Sequence, residues 1–434
     1  MRLHKGTKEL LLSKKRSIMK TGDIMGQRII FHIDVNNAFL SWSAIKLLSE
    51  GYKTDIRKIP SIIGGDEKKR HGIVLAKSPI AKKYNVVTAE TIYQAKQKCP
   101  YLKVFPPDYD WYRKKSDELF SYLSTYSPVM EKFSIDECFL DMTGTNYLYN
   151  DYLALANKIR ESVKEQFGYT VNIGIANNKL CAKMASDFEK PDKVHTLYNE
   201  EIKQKLWPLA VGDLLMVGKS SKQLLNKLNI YTIGQLANAD DKLLYKHFKN
   251  QATYLKRAAW GIDDTKVEPR SNKTTSVSIS KTLPYDCSNR DKLKEILLCF
   301  TEEVTRELRL KKQYAKTVAV FFKTNNFISY SAQEKLVNPS NNTKKIYETV
   351  VDIFNKNYKD DLIRLIGLRL ADLSEKCEKQ LTIFESEVNE ETESDEVQKT
   401  IDNINQKFGK SIITTASLKV RDINKTNKLW LLLS

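Results

Sequence analysis

The chain has 434 residues, 41% of them apolar, which is material for roughly three domains of about 150 residues and excludes a single small binding module. Lys and Arg number 71 against 53 Asp and Glu, and the resulting formal charge of +18 suits a polyanion, nucleic acid first. No apolar run approaches a membrane span or a signal-peptide core, and the six cysteines and five histidines show neither C-x-x-C nor H-x-x-x-H spacing, so a cytoplasmic protein with reduced thiols and no structural zinc is expected.

In chain order, residues 1–27 are basic without a sustained apolar period and read as a flexible leader. Arg28-Ile29-Ile30-Phe31-His32-Ile33-Asp34 is a short run of β-formers ending in a carboxylate, which predicts a buried strand. From Asp110 to Tyr126 the positions Trp111, Leu119, Phe120 and Leu123 recur at helical spacing. Val129 to Asp141 then alternates like a hairpin with Asp136 and Glu137 at its centre. Leu153 to Phe167 predicts a helix, Val171 to Ala176 a strand, and Asn178 the opening of another helix. Leu206 to Gly261 is helical throughout, with breaks at Gly212, Gly218 and Gly234. A polar linker over 263–273 leads to Thr274–Glu375, where alternating strands (Val318–Phe322, Ile363–Leu370) accompany two helices. Seven acids crowd Glu385 to Glu396, an exposed spacer before an amphipathic stretch from Val397 to Phe408. The fold class is α+β.

Asp34 at one strand end and Asp136 with Glu137 on another are the set required if a sheet holds two divalent cations roughly 3.5–4 Å apart for in-line phosphoryl transfer. Hard oxygen ligands suit Mg2+, and the Val35 carbonyl could complete the shell. On spacing alone the simpler reading is a turn tip at Asp136-Glu137 and a helix cap at Asp34.

Phe31-His32-Ile33-Asp34, Ser134-Ile135-Asp136-Glu137-Cys138-Phe139-Leu140-Asp141 and Asn178-Lys179-Leu180-Cys181-Ala182-Lys183-Met184-Ala185-Ser186-Asp187 resemble, in that order, motifs of the Y-family DNA polymerases. The likeness covers about Ile29 to Glu375. It implies a right-hand translesion polymerase with a palm (28–37 and 105–196), small fingers (38–104), a helical thumb with a helix-hairpin-helix (197–262), a linker (263–273), an α+β little finger (274–375) and a C-terminal tail (376–434). The implied activity is template-directed, error-prone transfer of dNTP to a primer 3′-hydroxyl in DNA repair and the SOS response, with two Mg2+ ions for which Mn2+ can substitute.

By position, the resemblance makes Asp34, Asp136 and Glu137 the catalytic metal ligands, with the Val35 carbonyl assisting. Phe39 matches the steric gate that excludes a ribose 2′-hydroxyl, although periodicity alone makes it a core aromatic. Ser78, Lys82 and Lys190 fall at triphosphate contacts; without the motif either lysine is one solvated base among many. Gly218 and Lys219 match a hairpin that holds a DNA phosphate, Gly218 letting the backbone turn sharply, while a simple helix-capping glycine is the plainer alternative. Gln380, Leu381, Ile383 and Phe384 resemble a peptide for the bacterial sliding clamp, or else an edge strand of the preceding domain. Pro79 stands where DinB-like members carry Tyr, which points to the UmuC-like, Gram-positive UV-damage-repair branch, and Ala38 stands where an aromatic is common, which leaves a roomier base-pair pocket. The implied partners are primer-template DNA, dNTP, the clamp and an activating SOS protein, around a monomer.

Two other classes stay open. One is a DNA-binding accessory subunit that needs an activating partner. The other is a nucleotide cyclase: Gly64-Gly65-Asp66-Glu67 is similar to the cyclase G-G-D-E-F loop, but Lys68-Lys69-Arg70 follow in place of the aromatic. No Walker G-x-x-x-x-G-K-[ST] supports an ATP-driven motor.

Overall fold

The computed structural model describes residues 28–66, 72–269, 274–375, 398, 400–404 and 407. They fall into two compact units, Met1–Ser271 and Asn272–Ser434. The first unit runs β1 (Ile30–Val35), helix Ala38–Ser49, β2 (Ser61–Gly64), β3 (Val74–Lys77), helices Pro79–Lys83 and Ile92–Lys98, and β4 (Lys103–Phe105). Helix Tyr109–Leu123, β5 (Met130–Lys132), β6 (Glu137–Asp141), helix Tyr152–Phe167, β7 (Val171–Ala176), helix Lys179–Ser186 and β8 (Val194–Leu197) follow. Four helices, Lys219–Lys227, Ile233–Ala237, Asp241–Phe248 and Gln251–Ala259, close the unit.

β1 is the middle strand of a five-stranded sheet ordered β5-β6-β1-β7-β8, antiparallel to both its neighbours. Side chains alternate across a strand, so β1 sends Phe31, Ile33 and Val35 into one core and Ile30, His32 and Asp34 to the opposite face. The first set packs with Trp42, Tyr112, Phe120, Leu140 and Ile173 in a core that buries the helices around it. On the other face lies helix Lys179–Ser186, capped by the Asn178 side chain, which accepts from the Cys181 amide. Gly174 in β7 makes that approach feasible: a Cβ there would run into the Ala182 carbonyl and the Ser186 amide.

β2, β3 and β4 form a separate three-stranded sheet ordered β3-β2-β4. The helix Ala38–Ser49, expected with this region, also packs into the core of the larger sheet through Ala38 and Trp42. The first part of the expected linker is strapped down. Asp263 accepts from the Leu180 amide at 3.1 Å, Arg28 donates to the Thr265 carbonyl at 2.8 Å, and the Glu268 amide donates to Glu131 at 3.1 Å.

The second unit holds β9 (Ser276–Cys287), helix Arg290–Leu310, β10 (Ala315–Thr324), β11 (Ser329–Ser340), helix Thr343–Asn357 and β12 (Ile363–Ala371). Its sheet is ordered β11-β10-β12-β9 and is antiparallel throughout. Val318, Val320 and Phe322 alternate inward from β10 against Phe300, Val304, Val350 and Phe354 of the two helices. Residues 400–404 are helical, and Asp402 accepts from Arg309 at 2.6 Å and 3.2 Å. Among the described residues, no helix is long and apolar enough to cross a membrane.

Candidate active site

Asp34, next to last in β1, lies directly across the ladder from Glu137, the first residue of β6. The Val35 amide donates to the Asp136 carbonyl at 3.0 Å, which ties the third acid to the same strand end. The spacing that made Asp34 a possible helix cap and Asp136-Glu137 a possible turn tip therefore brings all three to one edge of the sheet.

Each carboxylate has a different environment. Asp34 is 8% exposed and pairs with the Lys190 ammonium, which also bonds Asp187 at 2.7 Å. Burial raises its pKa, the Lys190 charge opposes that, and Glu137 and Asp136 add repulsion, leaving Asp34 pushed up to about 6. Asp136 is raised chiefly by burial, against a 2.6 Å hydrogen bond from the Ser134 hydroxyl. For Glu137 burial also acts upward, but hydrogen bonds from His32 and Lys183 outweigh it and hold the acid at about 2. His32 is wholly buried, with Nε2 3.0 Å from Glu137 and Nδ1 2.8 Å from the Ser186 hydroxyl. Burial lowers its pKa, against the opposing pull of the Glu137 hydrogen bond.

With the side chains so directed, no group of three or more His, Cys, Asp and Glu among the described residues stands ready to hold a metal ion. Each acid is turned to a protein donor: Asp34 to Lys190, Asp136 to Ser134, Glu137 to His32 and Lys183. The chemistry of the set nonetheless fits a hard dication, because three carboxylates share a dry strand end and burial leaves Asp34 short of compensating positive charge.

The other expected site residues are placed as follows. Phe39 is partly buried, its ring stacked on Tyr112 at 4.7 Å and edge-on to Tyr109 at 6.0 Å. Lys82 is exposed on the helix Pro79–Lys83. Ser78 is the remaining residue expected at the triphosphate. It is fully buried, and its hydroxyl oxygen accepts from the Ala81 amide at 3.0 Å and the Ser61 amide at 3.2 Å as the cap of that helix.

Gly218 does not itself make the expected sharp turn. Its φ of −75° and ψ of 176° are open to any residue, and the residue that turns left-handed is Met216, at φ 71° and 73% exposed. A Cβ on Gly218 would meet nothing within 4 Å. Lys219 is exposed as the first residue of the helix Lys219–Lys227. Gln380, Leu381, Ile383 and Phe384 lie outside the described residues.

His32, Lys183 and Ser186 were missed. A signal existed for Lys183: it follows Lys179 by four residues, hence on the same helix face, and Lys179 bonds Glu131 of β5 at 2.7 Å.

A five-stranded sheet of this order, followed in the chain by a helical segment and a second α+β unit, is consistent with the class of Y-family polymerase folds. A solved Y-family DNA polymerase chimera of Dbh and Dpo4 superposes with a TM-score of 0.67 over 79% of this chain and 98% of that one, at 22% identity, which speaks for the fold. Residues 33–187 match the impB/mucB/samB family and residues 274–383 its C-terminal domain. DNA polymerase IV of Clostridium acetobutylicum is 42% identical over 391 residues, spanning 90% of this chain and 98% of that protein. DNA polymerase IV 1 of Bacillus subtilis is 33% identical over 402 residues, 92% of this chain and 95% of its own length. The chain belongs to this family, the Y-family of DNA-directed DNA polymerases. Both relatives bear the name DNA polymerase IV rather than the UmuC-like label that Pro79 suggested.

Proposed function

We propose that this chain extends a primer on a DNA template, including across damaged bases, by error-prone transfer of deoxynucleotides. The observation that carries the reading is the juxtaposition of Asp34 with Glu137, with Asp136 tied to Val35, at one strand end. Asp34, Asp136, Glu137 and the Val35 carbonyl would hold two Mg2+ ions, or Mn2+ in their place. When bound, the ions lower the pKa of the attacking 3′-hydroxyl and neutralise the triphosphate.

The chain's own residues do the rest. His32 and Lys183 keep Glu137 ionised and fixed in one rotamer. Lys190 and Lys82 offer cations to the triphosphate, with Ser78 at the start of the helix that carries Lys82. Phe39 is held by Tyr112 and Tyr109, so its ring cannot yield to a 2′-hydroxyl. Gly218 leaves open room before the helix Lys219–Lys227, where a phosphate could approach backbone amides and Lys219. In this reading the five-stranded sheet is the palm, the three-stranded sheet the fingers, residues 197–262 the thumb and the second unit the little finger. A fingers sheet of only three short strands presses lightly on the nascent pair, which favours misinsertion. Gln380 to Phe384 would tether the enzyme to the sliding clamp.

Primer extension with purified protein and Mg2+, on undamaged and abasic templates, tests this. Asp34→Ala or Asp136→Ala should abolish synthesis, and undiminished extension by either variant would refute the assignment. A cyclase would act with DNA left out, and an accessory subunit would add no nucleotide with or without partners. Deleting residues 380–384 should weaken stimulation by the clamp and spare basal synthesis.

A further inference from the structure

Two ammonium groups stand against the proposed metal ligands, and they are not equivalent. Lys183 is 13% exposed, projects from the helix Lys179–Ser186 onto Glu137, and lies 5.3 Å from the Phe133 ring centroid. Glu137 would keep the His32 hydrogen bond even without it. Lys190 is 36% exposed, sits beyond the end of that helix, and is the single side-chain partner of Asp34 among the described residues. The pair is thus one buried carboxylate at the site and one long, flexible cation at its rim.

We propose that Lys190 is an exchangeable counter-ion, which neutralises Asp34 in the metal-free protein and is released to the triphosphate when a dication takes its place, while Lys183 stays on Glu137 throughout. The inference rests on Asp34 being a metal ligand, as proposed above. Its physical basis is that an ammonium and a dication cannot both contact one carboxylate oxygen without strong repulsion in a dry site. The freed ammonium then lies near the phosphates that accompany the metal. Metal and triphosphate consequently favour each other through a single side chain, and the coupling is reciprocal. Sequence placement alone would assign Lys190 to the triphosphate only; the ion pair with Asp34 gives it a role before substrate arrives.

The test is Mn2+ binding by the full-length, metal-free protein at pH 8, followed by electron paramagnetic resonance without DNA or nucleotide. Lys190→Met should bind Mn2+ more tightly than the wild type, by about tenfold if the coupling is of ordinary size. Lys190→Arg keeps a cation at the rim and should bind as the wild type does. Asp34→Asn should lose the site. Equal or weaker binding by Lys190→Met, with the site lost in Asp34→Asn, overturns the exchange and leaves the metal assignment standing. Unchanged binding in Asp34→Asn overturns that assignment and the exchange with it. Circular dichroism of each variant separates lost binding from lost folding.

Discussion

The two larger sheets use the same materials for opposite ends. In the second unit, β10 turns Val318, Val320 and Phe322 toward the two helices, among apolar neighbours. In the first unit, β1 turns His32 and Asp34 toward a packed helix and buries both. Burying ionisable groups works against stability unless partners are supplied, and here the partners are Lys190, Lys183, Glu137 and Ser186. The second sheet is arranged for stability, and the first gives up part of its own to hold charge at a strand end.

Four substitutions would break or sharpen that contrast. Asp136→Ala should cost the most in activity: losing several kcal/mol of transition-state stabilisation slows primer extension on the order of 10⁴-fold, with the melting temperature little changed. Phe354→Ala in the second unit should do the reverse. It removes a fully buried ring that stacks on Tyr358 at 4.8 Å and should destabilise that unit by about 4 kcal/mol in urea titrations.

Asp34→Asn should stabilise the first unit. The fold raises the Asp34 pKa from 3.8 to about 6, so it binds the proton more tightly than the unfolded chain does. The stability contributed by the protonated acid is fully present below about pH 3.8 and lost as pH rises through about 6. At about 1.4 kcal/mol per pH unit, the neutral variant should gain up to about 3 kcal/mol over the wild type at pH 8 and almost nothing at pH 3.5. A pH series of urea titrations reads this, and no divergence between pH 4 and 7 would remove the argument from burial. Met216→Gly should give the smallest change, about 1 kcal/mol of stabilisation by differential scanning calorimetry, because glycine adopts φ 71° without the side-chain penalty.

Much of this was legible beforehand, for reasons of periodicity. β1, the hairpin of β5 and β6, and β7 each announce themselves by short apolar or alternating runs, and the acids stand within those runs. What periodicity does not carry is the direction of long side chains. Lys183 and Lys190 are ordinary basic residues in a chain rich in them until a backbone bends them toward Glu137 and Asp34. Nor does periodicity show that Pro79 starts a helix whose backbone recruits the Ser78 hydroxyl. A sharp turn was expected at Gly218, whereas the left-handed residue is Met216.

The absence of one methyl group at Gly174 carries further than its size suggests. It lets helix Lys179–Ser186 settle onto the backbone of β7, and so fixes how far the Lys183 and Ser186 side chains must reach to find Glu137 and His32. An alanine there would lift the helix like a shim under a lens, defocusing the acids without touching any of them.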